Sequence, residues 1–68
     1  MLTIKDCSGR IVCKANTSTG HIEMKYKNLR LFAAIPIGGT CIVERDSITT
    51  QITRTDTSVF DVKSYSII

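Results

Sequence analysis

His21-Ile22-Glu23-Met24-Lys25-Tyr26-Lys27-Asn28-Leu29-Arg30-Leu31-Phe32-Ala33-Ala34 reads as two alternating runs joined at a polar pair. Successive side chains of a strand point to opposite faces, so a hairpin register can be tested by asking what each pairing puts together. With Lys27-Asn28 as a two-residue loop, Tyr26 opposes Leu29, Met24 opposes Leu31 and Ile22 opposes Ala33. That face is wholly apolar. The other face pairs Lys25 with Arg30, Glu23 with Phe32 and His21 with Ala34. Asparagine tolerates the left-handed backbone that such a turn needs. The stretch predicts a hairpin with one face turned to a core and one to water.

Working outward, the same pattern recurs. A loop at Ser8-Gly9 sets Ile4 against Cys13 and Leu2 against Ala15, with Lys5, Lys14, Thr3 and Val12 on the opposite side. Asp46-Ser47 links two further runs with two registers open. A two-residue loop groups Cys41 and Val43 with Ile52; a one-residue shift groups Ile42 with Ile48 and Ile52. A three-residue loop at Thr55-Asp56-Thr57 puts Ile52 opposite Phe60 and Thr50 opposite Val62. The polar segment from Asn16 to Gly20 reads as a loop. Pro36-Ile37-Gly38-Gly39 reads as the corner between two halves of the sheet, since proline removes a ladder donor and glycine permits positive φ. Strands are expected at roughly 2–6, 10–15, 21–26, 29–35, 40–45, 48–54 and 58–65. Six to seven short strands in consecutive hairpins must curl or stack to cover an apolar face. The expected fold is therefore all-β, a small antiparallel barrel or two-layer sheet.

Composition agrees. Ten Ile and nine Thr in 68 residues favour sheet over helix, because both are stiff at χ1 and fit a pleated surface. A chain of this length makes one domain, 1–68, whose single core supplies roughly 3–5 kcal/mol. No apolar run serves as a signal or membrane segment. With three cysteines, an odd number, this points to reduced thiols in the cytoplasm. No membrane partner is expected, and without export the sequon at Asn16-Thr17-Ser18 carries no weight. The net charge of +3 divides unevenly: residues 1–34 hold six Lys or Arg against two acids, and residues 35–68 hold three against four. A basic half can mark an anionic partner.

Motifs for catalysis are missing: there is no Gly-rich nucleotide loop, CxxC pair, HExxH or hydrolase elbow. Cys7, Cys13, His21 and Cys41 are zinc-ligand types without the tight two-ligand knuckles of structural zinc sites. Cys13 sits on an apolar face and reads as a small buried hydrophobe. Asp46 and Asp56 fall at turns. No catalytic residue, metal or cofactor is expected. Two constellations remain. Lys5, Lys14, Lys25, Lys27, Arg30 and Phe32 form a basic face that can bind an anion or nucleic acid, with Phe32 stacking a base; the plainer expectation leaves Phe32 partly buried under a second layer. The terminal run ending in Tyr65, Ile67 and Ile68 stays apolar to its end, which suits pairing with a partner's edge or with a second copy. The expected function is a non-enzymatic interaction module working through a sheet face or edge strand. A protein partner or homo-oligomer ranks ahead of nucleic acid.

Overall fold

The computed structural model describes residues 1–67. These fold into seven strands: β1 (Leu2–Lys5), β2 (Ile11–Ala15), β3 (His21–Tyr26), β4 (Leu29–Ala34), β5 (Thr40–Arg45), β6 (Ile48–Asp56) and β7 (Val59–Ser66). They form two antiparallel sheets in order β1-β2-β3-β4 and β5-β6-β7. The sheets stack without closing into a barrel, so the molecule is a two-layer sheet only 16 Å across its thinnest Cα dimension. Among the described residues no helix is long and apolar enough to cross a membrane.

The deciding hairpin has the register read from its sequence, from His21 opposite Ala34 to Tyr26 opposite Leu29. The residue at positive φ in its turn is Lys27, not Asn28, at +55°. In the first hairpin, Leu2 faces Ala15 and Ile4 faces Cys13 as expected, but a bulge then sets Lys5 against Ile11. The extra residue swings Val12 in to pack on the core, contrary to its expected place with the lysines. Asp6 causes the bulge. Its carboxylate accepts from Ser8 N (2.9 Å), Ser8 Oγ (2.5 Å) and Arg10 N (3.1 Å), closing a loop wider than Ser8-Gly9 alone.

The open register resolves as the two-residue loop. Asp46 and Ser47 both take positive φ, and Cys41 faces Ile52 while Val43 faces Thr50. The last hairpin departs from the expected three-residue loop: Ile52 faces Val62, Thr50 faces Ser64 and Arg54 faces Phe60. A shift of two residues keeps every side chain on its face. The turn moves because Thr57 is held twice, by the Asp56 carboxylate on its N–H (2.7 Å) and by Arg54 Nη2 on its carbonyl (2.8 Å).

Pro36–Gly39 is the corner, carrying the chain from β4 in one layer to β5 in the other. Arg54 pins it. This buried guanidinium donates to Ile35 O (3.1 Å), Thr19 O (3.3 Å) and Thr57 O (2.8 Å), tying three loops at one end of the molecule. Gly20 sits at φ +79°, where a Cβ would collide with Arg54 Nη1 and the Ile35 carbonyl. The core lies at that end: Ile4, Cys13, Ala15, Ile22, Ile35 and Ile52, with Phe60, Val62 and Cys41 against it.

Towards the opposite end the layers part. The β5-β6-β7 sheet presents Thr50 and Ser64, hydrogen-bonded at 3.1 Å, and then Arg45 and Ser66 on its inner face. A charged guanidinium cannot be buried there without a partner. The expected dry face is thus dry only at Ile22, with Met24 and Ala33 half-buried beside it. Tyr26, Leu29 and Leu31 remain 50%, 55% and 48% exposed.

Candidate functional site

The parting of the layers leaves a cleft of about 280 Å³. Met24, Tyr26, Leu29 and Leu31 line it from one sheet and Val43, Ile48 and Thr50 from the other, with Asp6 and Val12 of the first hairpin. Lys25, Glu44 and Arg45 complete its lining. The Arg45 guanidinium lies 5.8 Å from the Tyr26 ring centre, reaching from one layer to the other, and Lys27 Nζ lies 5.5 Å from the same ring. Both are within reach of a cation–π attraction.

One wall of this cleft is an edge strand. Among the described residues β4 has no neighbour but β3, and all its residues except Ala33 are exposed. Ile35 N donates to Gly20 O at 2.9 Å, which fixes the phase of the ladder. Hydrogen-bonded positions alternate in an antiparallel pair, so Leu29, Leu31 and Ala33 bond back to β3. The N–H and C=O groups of Arg30, Phe32 and Ala34 face away from the sheet.

The basic constellation is brought together in part. Thr3 faces Lys14, Lys14 faces Glu23, and Glu23 faces Phe32, so these side chains form one row across the outer face. Lys25 and Arg30 are directly opposed beside it, and Lys5 lies on the same side. Lys27 is not in this set; it sits at the turn, over Tyr26. Phe32 is 65% exposed, against the expectation of a covering layer: the second sheet packs on the other face. Like charges directly opposite repel, and at Lys25 and Arg30 this is relieved internally. Arg30 Nη2 donates to Glu23 Oε1 at 2.8 Å and stacks 5.2 Å from the Phe32 centre. The hydrogen bond from Arg30 holds the Glu23 carboxyl below its ordinary range.

At the other constellation, Tyr65 lies half-exposed on the outer face of β7, which is the free edge of the three-stranded sheet. Ile67 is exposed, and its N–H donates to Ser47 O at 2.8 Å, prolonging the ladder past the strand end. Ile68 lies outside the described residues. On the inner side, Ser64 Oγ accepts from Cys7 N at 2.9 Å, joining the first turn to β7.

The nucleophile types are scattered. Cys7 is exposed, Cys41 half-buried and Cys13 buried, with all three free. Burial pushes the Cys13 thiol up to about 11, away from reactivity. His21 is exposed at the start of β3. Among the described residues no three His, Cys, Asp or Glu side chains converge as a metal would require. Sequence reasoning missed Arg54 and Arg45. Both fall on the apolar side of their runs, at positions facing Phe60 and Ile48, and that misplacement of charge was the signal available. Compared with known proteins, the chain matches no protein-family model, no curated protein and no solved structure.

Proposed function

We propose that the protein is a non-enzymatic interaction module that takes an extended segment of another protein as a further strand beside β4. One observation carries this reading: β4 is an unguarded edge, with five apolar residues in six, exposed on both faces. Natural edges are blunted by proline, bulges or free charge. β4 has no proline or bulge, and its single charge, on Arg30, is spent on Glu23. Strand addition uses such a row of free backbone groups for affinity and the alternating side chains for selection.

The preferred segment follows from the two faces. Its inward side chains extend the apolar lining beside Leu29 and Leu31, so they are aliphatic. Its outward side chains lie on the face that carries Lys5, Lys14 and Lys25 beyond the Arg30–Glu23 pair, a net positive face, so they are acidic. Arg45 and Lys27, both over the Tyr26 ring, favour the same sign, with Glu44 as the one opposing charge beside Arg45. Three free thiols, one of them exposed, support a reducing, cytoplasmic setting.

The test is a labelled short peptide of alternating valine and glutamate, followed by fluorescence anisotropy at low ionic strength. Saturable binding is expected, weakening as salt screens the rim charges. The same peptide with lysine for glutamate binds less. Ala34→Pro removes an outward N–H while sparing the bonds to β3, and abolishes binding. Equal binding of the two peptides, or indifference to Ala34→Pro, overturns the reading.

The exposure of Phe32 among Lys5, Lys14, Lys25 and Arg30 favours a second reading, single-stranded nucleic acid on the outer face, with phosphates on the cations and a base on the ring. Glu23 in the middle of that row weighs against it. An oligonucleotide titration separates the two: no binding at low ionic strength removes it, and salt-sensitive binding lost in Lys25→Glu supports it.

A further inference from the structure

The free edge of the other sheet carries a different pattern. β7 runs for eight residues with β6 as its only neighbour among the described residues, and Val59 and Tyr65 on its outer face are 53% and 51% exposed. The bond from Ile67 N to Ser47 O sets the phase on this side. Tyr65, Lys63 and Asp61 therefore turn their backbone groups to β6, and Phe60, Val62 and Ser64 turn theirs outward.

We propose that β7 pairs antiparallel with β7 of a second copy, about a two-fold axis through Val62, to make one continuous six-stranded sheet. An isologous interface has to be complementary to itself, and this strand is. With Val62 opposite Val62, Phe60 lies opposite Ser64 of the second copy. On the outer face Asp61 then opposes Lys63 of the second copy, twice, and Val59 opposes its Tyr65, twice. Unlike charges and an aromatic–aliphatic pair are favourable cross-strand neighbours.

The register is selected as well as permitted. Pairing Phe60 with Val62 sets Asp61 against Asp61. Pairing Val62 with Ser64 sets Lys63 against Lys63. Both slips place like charges directly opposite, which destabilises a ladder. Among the described residues neither Asp61 nor Lys63 has an ion-pair partner within its own chain, so both charges are free for the second copy. The dimer leaves the β4 edge open. Arg45 over Tyr26 places β5 beneath the β3–β4 hairpin, and Ser64 beneath Cys7 places β7 beneath the first turn, on the opposite flank.

The test is sedimentation equilibrium of the full chain from micromolar to millimolar concentration, with circular dichroism to verify folding of each variant. A monomer–dimer equilibrium is expected. Asp61→Lys alone, or Lys63→Asp alone, puts like charges opposite at two places and weakens dimerisation about tenfold or more. The double exchange Asp61→Lys/Lys63→Asp restores unlike pairs and recovers the dimer. Val62→Pro removes an outward N–H and leaves a folded monomer; should it fail to fold, the charge exchange decides by itself. A monomer at millimolar concentration overturns the proposal, as does a dimer indifferent to the single exchanges. Peptide binding at β4 is unaffected by the β7 variants, so failure here and failure of the strand-addition reading are told apart.

Discussion

Arg54 is buried among carbonyl oxygens, and among the described residues no carboxylate balances it. Its planar fork reaches Ile35, Thr19 and Thr57 at once, which a lysine ammonium cannot do. Removing it leaves the Ile35 carbonyl, deep at the corner, without this donor, and an unsatisfied buried acceptor costs more than the bond itself contributed. Arg54→Met should therefore lower unfolding free energy by about 2–3 kcal/mol, measured from the urea midpoint at constant slope. Arg54→Lys should recover only part. A loss no larger than that of an exposed substitution would show that the three loops hold without the guanidinium. The sequence shows the misplaced charge but not its role, because alternation treats a charge on the inward phase as an error or an edge. Nothing in the chain announces that three loops converge on it.

Turns decided how far single elements could be read. Where a two-residue loop closes a hairpin, as at Lys27-Asn28, the apolar pairing fixes the register and the structure agrees pair by pair. Where a side chain reorganises the turn, the reading slips: Asp6 widens the first loop and turns Val12 inward, and Asp56 with Arg54 relocates the last. The last slip, by two residues, preserved the faces, so Ile52, Thr50, Phe60 and Val62 share one face as read, whereas the first carried Val12 across. The Asp6 loop also sets a pH dependence. The Ser8 hydroxyl, followed by the Arg10 and Ser8 N–H groups, holds the Asp6 carboxyl below its ordinary value. A carboxyl depressed in the folded state contributes stability that is full above its unfolded value, roughly 3.9, and is lost as pH falls through the folded one. Glu23, held down by Arg30, acts in the same direction. The melting temperature should therefore decline below about pH 4, and Asp6→Asn should flatten that decline while lowering the plateau. A melting curve equally steep in Asp6→Asn would assign the acid sensitivity elsewhere.

At the scale of the whole molecule, two thin sheets are fastened at one end and open at the other. Sequence reading expected one apolar face buried throughout; the inner face of the second sheet, ending in Arg45 and Ser66, does not allow it. The exposure of Tyr26, Leu29 and Leu31 is thus a property of two elements together, which neither hairpin discloses alone. Stability should be correspondingly lopsided. Ile52 is fully buried between the layers at the fastened end, and truncating an isoleucine in a core costs about 2–5 kcal/mol. A single core of this size supplies roughly 3–5 kcal/mol in all. Ile52→Ala should therefore leave the chain largely unfolded at room temperature, read by the loss of a cooperative urea transition. Leu31→Ala, at the open end, should cost about 1 kcal/mol or less. The same leucine matters for function, because it walls the cleft beside the free β4 edge. Leu31→Ala should weaken binding of the valine–glutamate peptide while leaving the urea midpoint nearly in place. Equal stability losses at Leu31 and Ile52 would mean that the layers close over the cleft in solution, and the strand-addition site would close with them.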